Sequence, residues 1–235
     1  DRRSRRRAVP DIVKGSYRFG RDAERGVVKE RVVVVSGFGA FRDYRHDDEN
    51  PSTPLARQFA AEVAARNIRC ECVAPVAVNW GEIEAVIAAQ VARHRDARIT
   101  WIAFGAGREF AIETCATNRR ATDQADVSGR LPGKDVPLLN DMTADSDATH
   151  VIPMSLERVQ DVRRSLAAHG FPVRLSTDAG GYLCNSAAYA IYKMHGLGTL
   201  ETGLFLHTPA SLEVESQIAF AAALTDILLA DCLPP

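Results

Sequence analysis

The chain has 235 residues, 46% of them hydrophobic and 25% charged, and its 29 basic and 30 acidic side chains leave a formal net charge of −1. That length and apolar content suffice for one sizeable core. The balanced charge argues against nucleic acid or a membrane surface as partner, and no run reaches the ~20 apolar residues of a transmembrane helix.

Residues 1–30 mix charges with glycines and lack a clean period, so they read as an arm laid over the domain. Its start, Asp1 to Arg7, carries five arginines and reads as a solvated basic tail. A single α/β domain is expected over 31–235. Arg31 to Val35 is a short β-branched run and reads as a buried strand. Gly37 to Phe41 forms a loop, followed by a charged stretch from Arg42 to Asn50. Pro51 to Pro54 opens a helix with Leu55, Phe59, Val63 and Ala64 on one face. Ile68 to Val78 alternates like a strand. Trp80 to His94 reads as an amphipathic helix carrying Ile83, Val86, Ile87 and Val91.

Ile99 to Phe104 is a second buried strand, and Phe110 to Ala116 a further extended segment. Residues 119–147 are polar and rich in Asp, Gly and Pro, too long for a bare loop. They read as a functional flap or as hidden short strands. Pro153 to His169 predicts a helix with Met154, Leu156, Val159, Val162 and Leu166 inward, stopped by Gly170. A strand at Pro172–Leu175, a helix at Cys184–Met194, a strand at Leu204–Leu206 and a closing helix at Leu212–Leu229 complete the chain. Strands alternating with helices predict a mixed, mostly parallel sheet covered on both sides.

There are five cysteines, Cys70, Cys72, Cys115, Cys184 and Cys232, and no pair has zinc-knuckle spacing. Cys70, Cys72 and Cys115 read as reduced core thiols, because free cysteine is among the most buried residue types. Unpaired thiols fit a reducing cytoplasm. Cys184 differs from these. It lies between an apolar run and a helical pattern, and a second apolar run ends in His207-Thr-Pro209. A strand-to-helix turn lifts a sulfur out of a sheet, a helix start favours thiolate, and a histidine at a strand end can take the proton.

Several strings now line up in chain order: Gly37-Phe38-Gly39-Ala40-Phe41, Asn50-Pro51-Ser52, Gly107-Arg108 before Glu113 and Asn118, Asp126 to Gly129 and Pro132, Ala179-Gly180 before Cys184-Asn185 and Tyr189, and His207-Thr-Pro209. Together they resemble the pyroglutamyl peptidase I family, cysteine peptidases that remove an N-terminal pyroglutamate, over most of the chain from about Val32. The resemblance implies a three-layer α/β/α sandwich of the phosphorylase/hydrolase-like kind, without metal or organic cofactor. It implies a peptide substrate with a blocked N-terminus and a homodimer or homotetramer.

The resemblance also implies roles. Cys184 is the nucleophile, His207 the general base that becomes general acid, and Glu113 the carboxylate that orients His207. Arg108 supports them, and backbone N–H groups at the start of the Cys184 helix stabilise the oxyanion. Phe38 and Phe41 match the two loop phenylalanines that sandwich the lactam. Asn50, Phe104, Tyr182 and Leu183, from the same strings, complete the expected substrate-binding set.

The chain departs from the family pattern mostly around the pocket. Phe104 stands where a glutamine near the lactam is usual, and Ser186 where a histidine is usual. One residue is missing between Arg108 and Glu113, which in a strand reverses side-chain direction unless a bulge compensates. The loop after Phe41 is longer and heavily charged. A thiol amide or lactam hydrolase of different acyl specificity, or an inactive binding homologue, therefore stands beside the peptidase reading.

Overall fold

The computed structural model describes residues 29–118, 123–132 and 149–230. Its strands are β1 (Arg31–Gly37), β2 (Cys70–Cys72), β3 (Arg98–Gly107), β4 (Ala111–Glu113), β5 (Cys115–Thr117), β6 (Thr149–Val151), β7 (Arg174–Ser176) and β8 (Thr202–Pro209). Its helices are α1 (Ser52–Ala65), α2 (Glu82–Arg93), α3 (Leu156–Ala168), α4 (Leu183–Gly196) and α5 (Val214–Leu229). The arm over residues 1–28, and the parts of the polar segment at 119–122 and 133–147, lie outside the described residues.

Six strands form one sheet in the order β2–β1–β3–β8–β4–β7, and β5 pairs β6 in a separate antiparallel ribbon. The first four run parallel; β4 runs antiparallel to β8 and parallel to β7. The chain thus leaves β3, steps over the position that β8 later fills, and returns in the opposite direction. Strand alternation divides the helices between the two faces. Phe104 and its partner Leu206 face α1, where Phe104 meets Phe59 edge-on at 5.7 Å. Gly203, Phe205 and His207 face the other way, and Ile191 of α4 fills the space beside Gly203. Helix α5 packs on α1 and α3, and α2 packs on α4, giving three layers. No helix among the described residues is long and apolar enough to cross a membrane.

The core stripe of α1 is Leu55, Phe59 and Val63, all buried. Ala64 is exposed, contrary to expectation. Each helical residue advances 100°, which carries Ala64 a quarter-turn past Val63. The strand expected over 68–78 shrinks to Cys70–Cys72 because Pro75 has no N–H for a ladder. Beyond it, β1 and its following loop hold the segment by single bonds, Val73 N to Val35 O and Val76 N to Gly37 O, each 2.8 Å. Phe110 to Ala116 splits at Thr114 into β4 and β5.

In α3, Ser155 caps the start by accepting from Arg158 N at 3.2 Å. Val159, Val162 and Leu166 are buried, but Leu156 is 71% exposed, at the first helical position where no described residue covers it. The thiols also differ from expectation. Cys72 is exposed, because the short edge strand β2 leaves its outer residues in water, and Cys70 and Cys115 are only half-buried. Burial still pushes the Cys70 thiol up to about 12.

Candidate active site

Three elements bring Cys184, His207 and Glu113 together. Cys184 is the second residue of α4, where the backbone N–H groups of Leu183, Cys184 and Asn185 precede the first intrahelical bond, from Ser186 N to Tyr182 O. His207 lies on β8, opposite Ala111 of the antiparallel β4. Glu113 is two residues further along β4 and so lies on the same sheet face. Its Oε1 meets His207 Nδ1 at 2.7 Å. Despite the residue missing before it, Glu113 has the direction the site needs, since β4 starts at Ala111, opposite His207, and Glu113 shares its parity.

Glu113 is 1% exposed and its backbone carbonyl accepts from Tyr192 Oη of α4. Among the described residues its Oε2 has no hydrogen-bond partner. A buried carboxylate with one oxygen on a histidine favours the imidazolium. The thiol of Cys184 lies close enough to His207 to bear on the charge of its ring. Burial of the ring works against its charge, but its interactions with Cys184 and Glu113 prevail, and His207 rises from the ordinary 6.5 to about 10. A sulfur, an imidazole that holds a proton firmly and a buried carboxylate are the parts of thiol nucleophilic catalysis.

Two glycines that sequence reasoning left without a role make room for this. A Cβ on Gly105 would stand 3.0 Å from Cys184 Sγ and 2.8 Å from Phe205 Cζ. One on Gly107 would stand 2.9 Å from His207 Cβ. The signal was present as glycines two apart at a strand end, which put both on one sheet face.

The sulfur opens onto a cavity of about 540 Å³ lined by Phe38, Phe41, Asn50, Tyr182 and Leu183 from the expected set, together with Arg42, Tyr44 and Gln124. Phe41 stacks on Tyr182 with centroids 5.1 Å apart, and Trp80 meets Tyr182 edge-on at 5.1 Å. The 123–132 segment is tied to the same wall. Tyr182 Oη donates to Ala125 O at 2.9 Å, and Trp80 Nε1 to Gln124 O at 3.3 Å. Asp126 anchors that segment. Burial opposes its charge, yet hydrogen bonds from Ser128, Arg130 and Trp80 hold its carboxyl at about 2.

Three expected residues do something else. Phe104 is fully buried in the layer under α1 and does not line the cavity, because alternation turns it away from Gly105 and Gly107. Asn50 lines the cavity but spends its amide on its own loop, donating to Gly39 O at 2.8 Å and accepting from the Ser52 hydroxyl at 2.8 Å. Arg108 is exposed just past β3 and outside the cavity lining. Asn185, next to the nucleophile, brackets Thr117 of β5, accepting from its N–H at 3.0 Å and donating to its C=O at 2.7 Å. Among the described residues no cluster of three His, Cys, Asp or Glu side chains forms a metal site.

Residues 31–219 match the family model described as pyroglutamyl peptidase. The chain is 27% identical over 183 residues to pyrrolidone-carboxylate peptidase 1 of Saccharolobus solfataricus, covering 75% of this chain and 78% of the relative. It is likewise 27% identical over 180 residues to the pyrrolidone-carboxylate peptidase of Vibrio vulnificus, covering 76% and 78%. Among solved structures, a mutant pyrrolidone carboxyl peptidase from Pyrococcus furiosus superposes with a TM-score of 0.67 at 18% identity, over 86% of this chain and all of that one. Pyroglutamyl peptidase I from Bacillus amyloliquefaciens superposes with a TM-score of 0.62 at 19% identity, over 84% and 92%. These superpositions carry the fold, an α/β/α sandwich.

Proposed function

Since the chain belongs to the pyroglutamyl peptidase family, we propose that it is a cysteine exopeptidase that hydrolyses the amide bond after an N-terminal pyroglutamyl residue. The observation that carries this reading is His207 held between the buried Glu113 carboxylate and the Cys184 thiol at the edge of a cavity.

In this mechanism the proton of Cys184 rests on His207. The sulfur attacks the pyroglutamyl carbonyl and a C–S bond forms. The carbonyl oxygen takes up negative charge against the backbone N–H groups of Leu183 and Cys184 at the start of α4, where the helix dipole favours it. His207 then passes its proton to the amide nitrogen, the C–N bond breaks and the peptide leaves as an amine. Water attacks the thioester while His207 takes a proton from it, and the C–S bond breaks to release pyroglutamate. Glu113 fixes the ring through Nδ1, so that Nε2 faces sulfur, leaving group and water in turn.

Pyroglutamate has no ammonium for an ordinary aminopeptidase to grip. A largely aromatic cavity suits the neutral lactam and rejects a charged N-terminus by its desolvation cost. Phe38 is the wall available to the ring, with Phe41 beside it stacked on Tyr182 and carrying the Arg42 guanidinium. The reading needs neither metal nor organic cofactor. A reducing cytoplasm fits it, since the four described cysteines are all unpaired. Assembly as a homodimer or homotetramer is carried over from the family resemblance.

The test is release of a fluorophore from a pyroglutamyl amide by the wild type and by Cys184→Ala. Turnover by the first and none by the second is expected, with iodoacetamide labelling Cys184 ahead of Cys70. A folded wild type that leaves the pyroglutamyl amide intact overturns the reading.

A further inference from the structure

The cavity has one feature that removal of a neutral lactam does not use. Arg42, on the long charged loop after Phe41, lines the cavity, with its guanidinium carbon 4.9 Å from the centre of the Phe41 ring. One of its nitrogens donates to Gln124 Oε1 at 3.3 Å, across the gap between the loop and the 123–132 segment. These two contacts hold a long side chain over the cavity mouth. Its backbone has φ +55, a left-handed conformation that residues with a Cβ adopt at a cost.

No described carboxylate neutralises the charge of Arg42. Among the described residues it forms no ion pair, and the acidic side chains of its loop are otherwise engaged. Asp47 accepts from Ala40 N at 2.8 Å, Asp48 pairs with Arg57, and Glu49 accepts from Arg45 N at 2.5 Å. Asp43 is the remaining carboxylate on the rim, and it lies against Tyr44. A guanidinium whose one hydrogen bond among the described residues leaves further donors for a ligand, held by a ring on the rim of the cavity onto which the sulfur opens, is a carboxylate receptor.

Building on the peptidase reading, we propose that Arg42 selects substrates bearing a carboxylate on the leaving-group side of the scissile bond. The pyroglutamyl ring lies on the aromatic walls next to Cys184, and the mouth of a 540 Å³ cavity is left for the residue that departs. That residue brings the carboxylate either as an acidic side chain or as the C-terminus of a pyroglutamyl dipeptide. Either source meets the guanidinium at an exposed position, where such a pair is worth up to about fivefold in specificity.

The experiment compares kcat/KM for four compounds: pyroglutamyl-alanine amide, pyroglutamyl-glutamate amide, pyroglutamyl-alanine with a free carboxylate, and pyroglutamyl-lysine amide. Each is run on the wild type, Arg42→Asn and Arg42→Asp; Asn and Asp both tolerate a left-handed backbone, so the loop conformation is kept. The wild type should favour one or both carboxylate compounds over the alanine amide by up to about fivefold and disfavour the lysine amide. Preference for the glutamate amide identifies a side-chain carboxylate; preference for the free acid identifies a C-terminal one. The ratio should fall to near one in Arg42→Asn and invert in Arg42→Asp, and in the wild type it should shrink as salt rises. Turnover of the alanine amide with equal rates for all four, a lysine preference set by Asp43, or a preference that survives in Arg42→Asn overturns this proposal and leaves the peptidase reading standing. No turnover of any of the four overturns both.

Discussion

Gly105→Ala adds one carbon to the most crowded point of the site. The new Cβ would stand 3.0 Å from Cys184 Sγ, 2.8 Å from Phe205 Cζ and 3.3 Å from Phe205 Cε1. Relaxed non-bonded contacts between heavy atoms of this kind are about 3.5–4.0 Å, so both neighbours must retreat by roughly 0.5–1 Å. Phe205 has little room, since it is fully buried and its ring meets His207 edge-on at 5.3 Å. The sulfur moves instead, away from the imidazole, or the imidazole moves with Phe205. Overpacking of this size costs about 1–3 kcal/mol of stability, which for a domain of this length lowers Tm by roughly 3–10 °C. A sulfur displaced by nearly 1 Å loses about 10²-fold in turnover. The assay is kcat/KM on a pyroglutamyl fluorophore amide, with thermal unfolding followed in parallel. Gly196→Ala is the control, because no atom lies within 4 Å of its added Cβ, and an alanine at the end of a helix stabilises by up to ~1 kcal/mol. A Gly105→Ala enzyme within threefold of the wild type would refute the claim that this glycine sets the position of the sulfur.

The pH dependence follows from His207. Its folded pKa, about 10, lies above the ordinary 6.5, so the stability it contributes is complete below about pH 6.5 and is lost as pH rises towards 10. The alkaline limb of kcat/KM should follow the same ionisation, and in Glu113→Gln it should move acidward while kcat falls about 10²- to 10⁴-fold; an unmoved limb would show that Glu113 does not govern the ring. Asp126→Ala removes an acceptor of several buried bonds and should cost about 2–4 kcal/mol by urea unfolding, with KM rising more than kcat falls, because Trp80 and Tyr182 lose their anchor. Asp126 is held below the ordinary 3.8, so its contribution is present above about pH 4 and lost as pH falls through about 2.

Much of this site was legible in the sequence, because its essential parts are local. A cysteine at a strand-to-helix turn and a histidine at the end of an apolar run are set by neighbours within a few residues. Spacing alone could not tell whether Glu113 kept its direction after the deletion. That depended on the register of β4, which sets Ala111 opposite His207 and so gives Glu113 the same face. Phe104 was misplaced for a related reason. An aligned string gives the neighbourhood of a side chain, while strand parity gives its face, and Phe104 has the parity of the α1 side. The roles of Arg42 and Gln124 could not be read from the chain, since they depend on two loops 82 residues apart meeting across the cavity.

Tyr182 precedes α4 as its N-cap, two residues before the sulfur. Its ring carries Phe41 from one stretch of chain and Trp80 from a second, and its hydroxyl holds Ala125 from a third. Any graft that reshapes one of these walls to admit a different acyl group therefore also tugs on the start of the nucleophile's own helix. Selectivity and speed share a hinge pin in this molecule, so libraries that vary the walls should score turnover at every round rather than affinity alone.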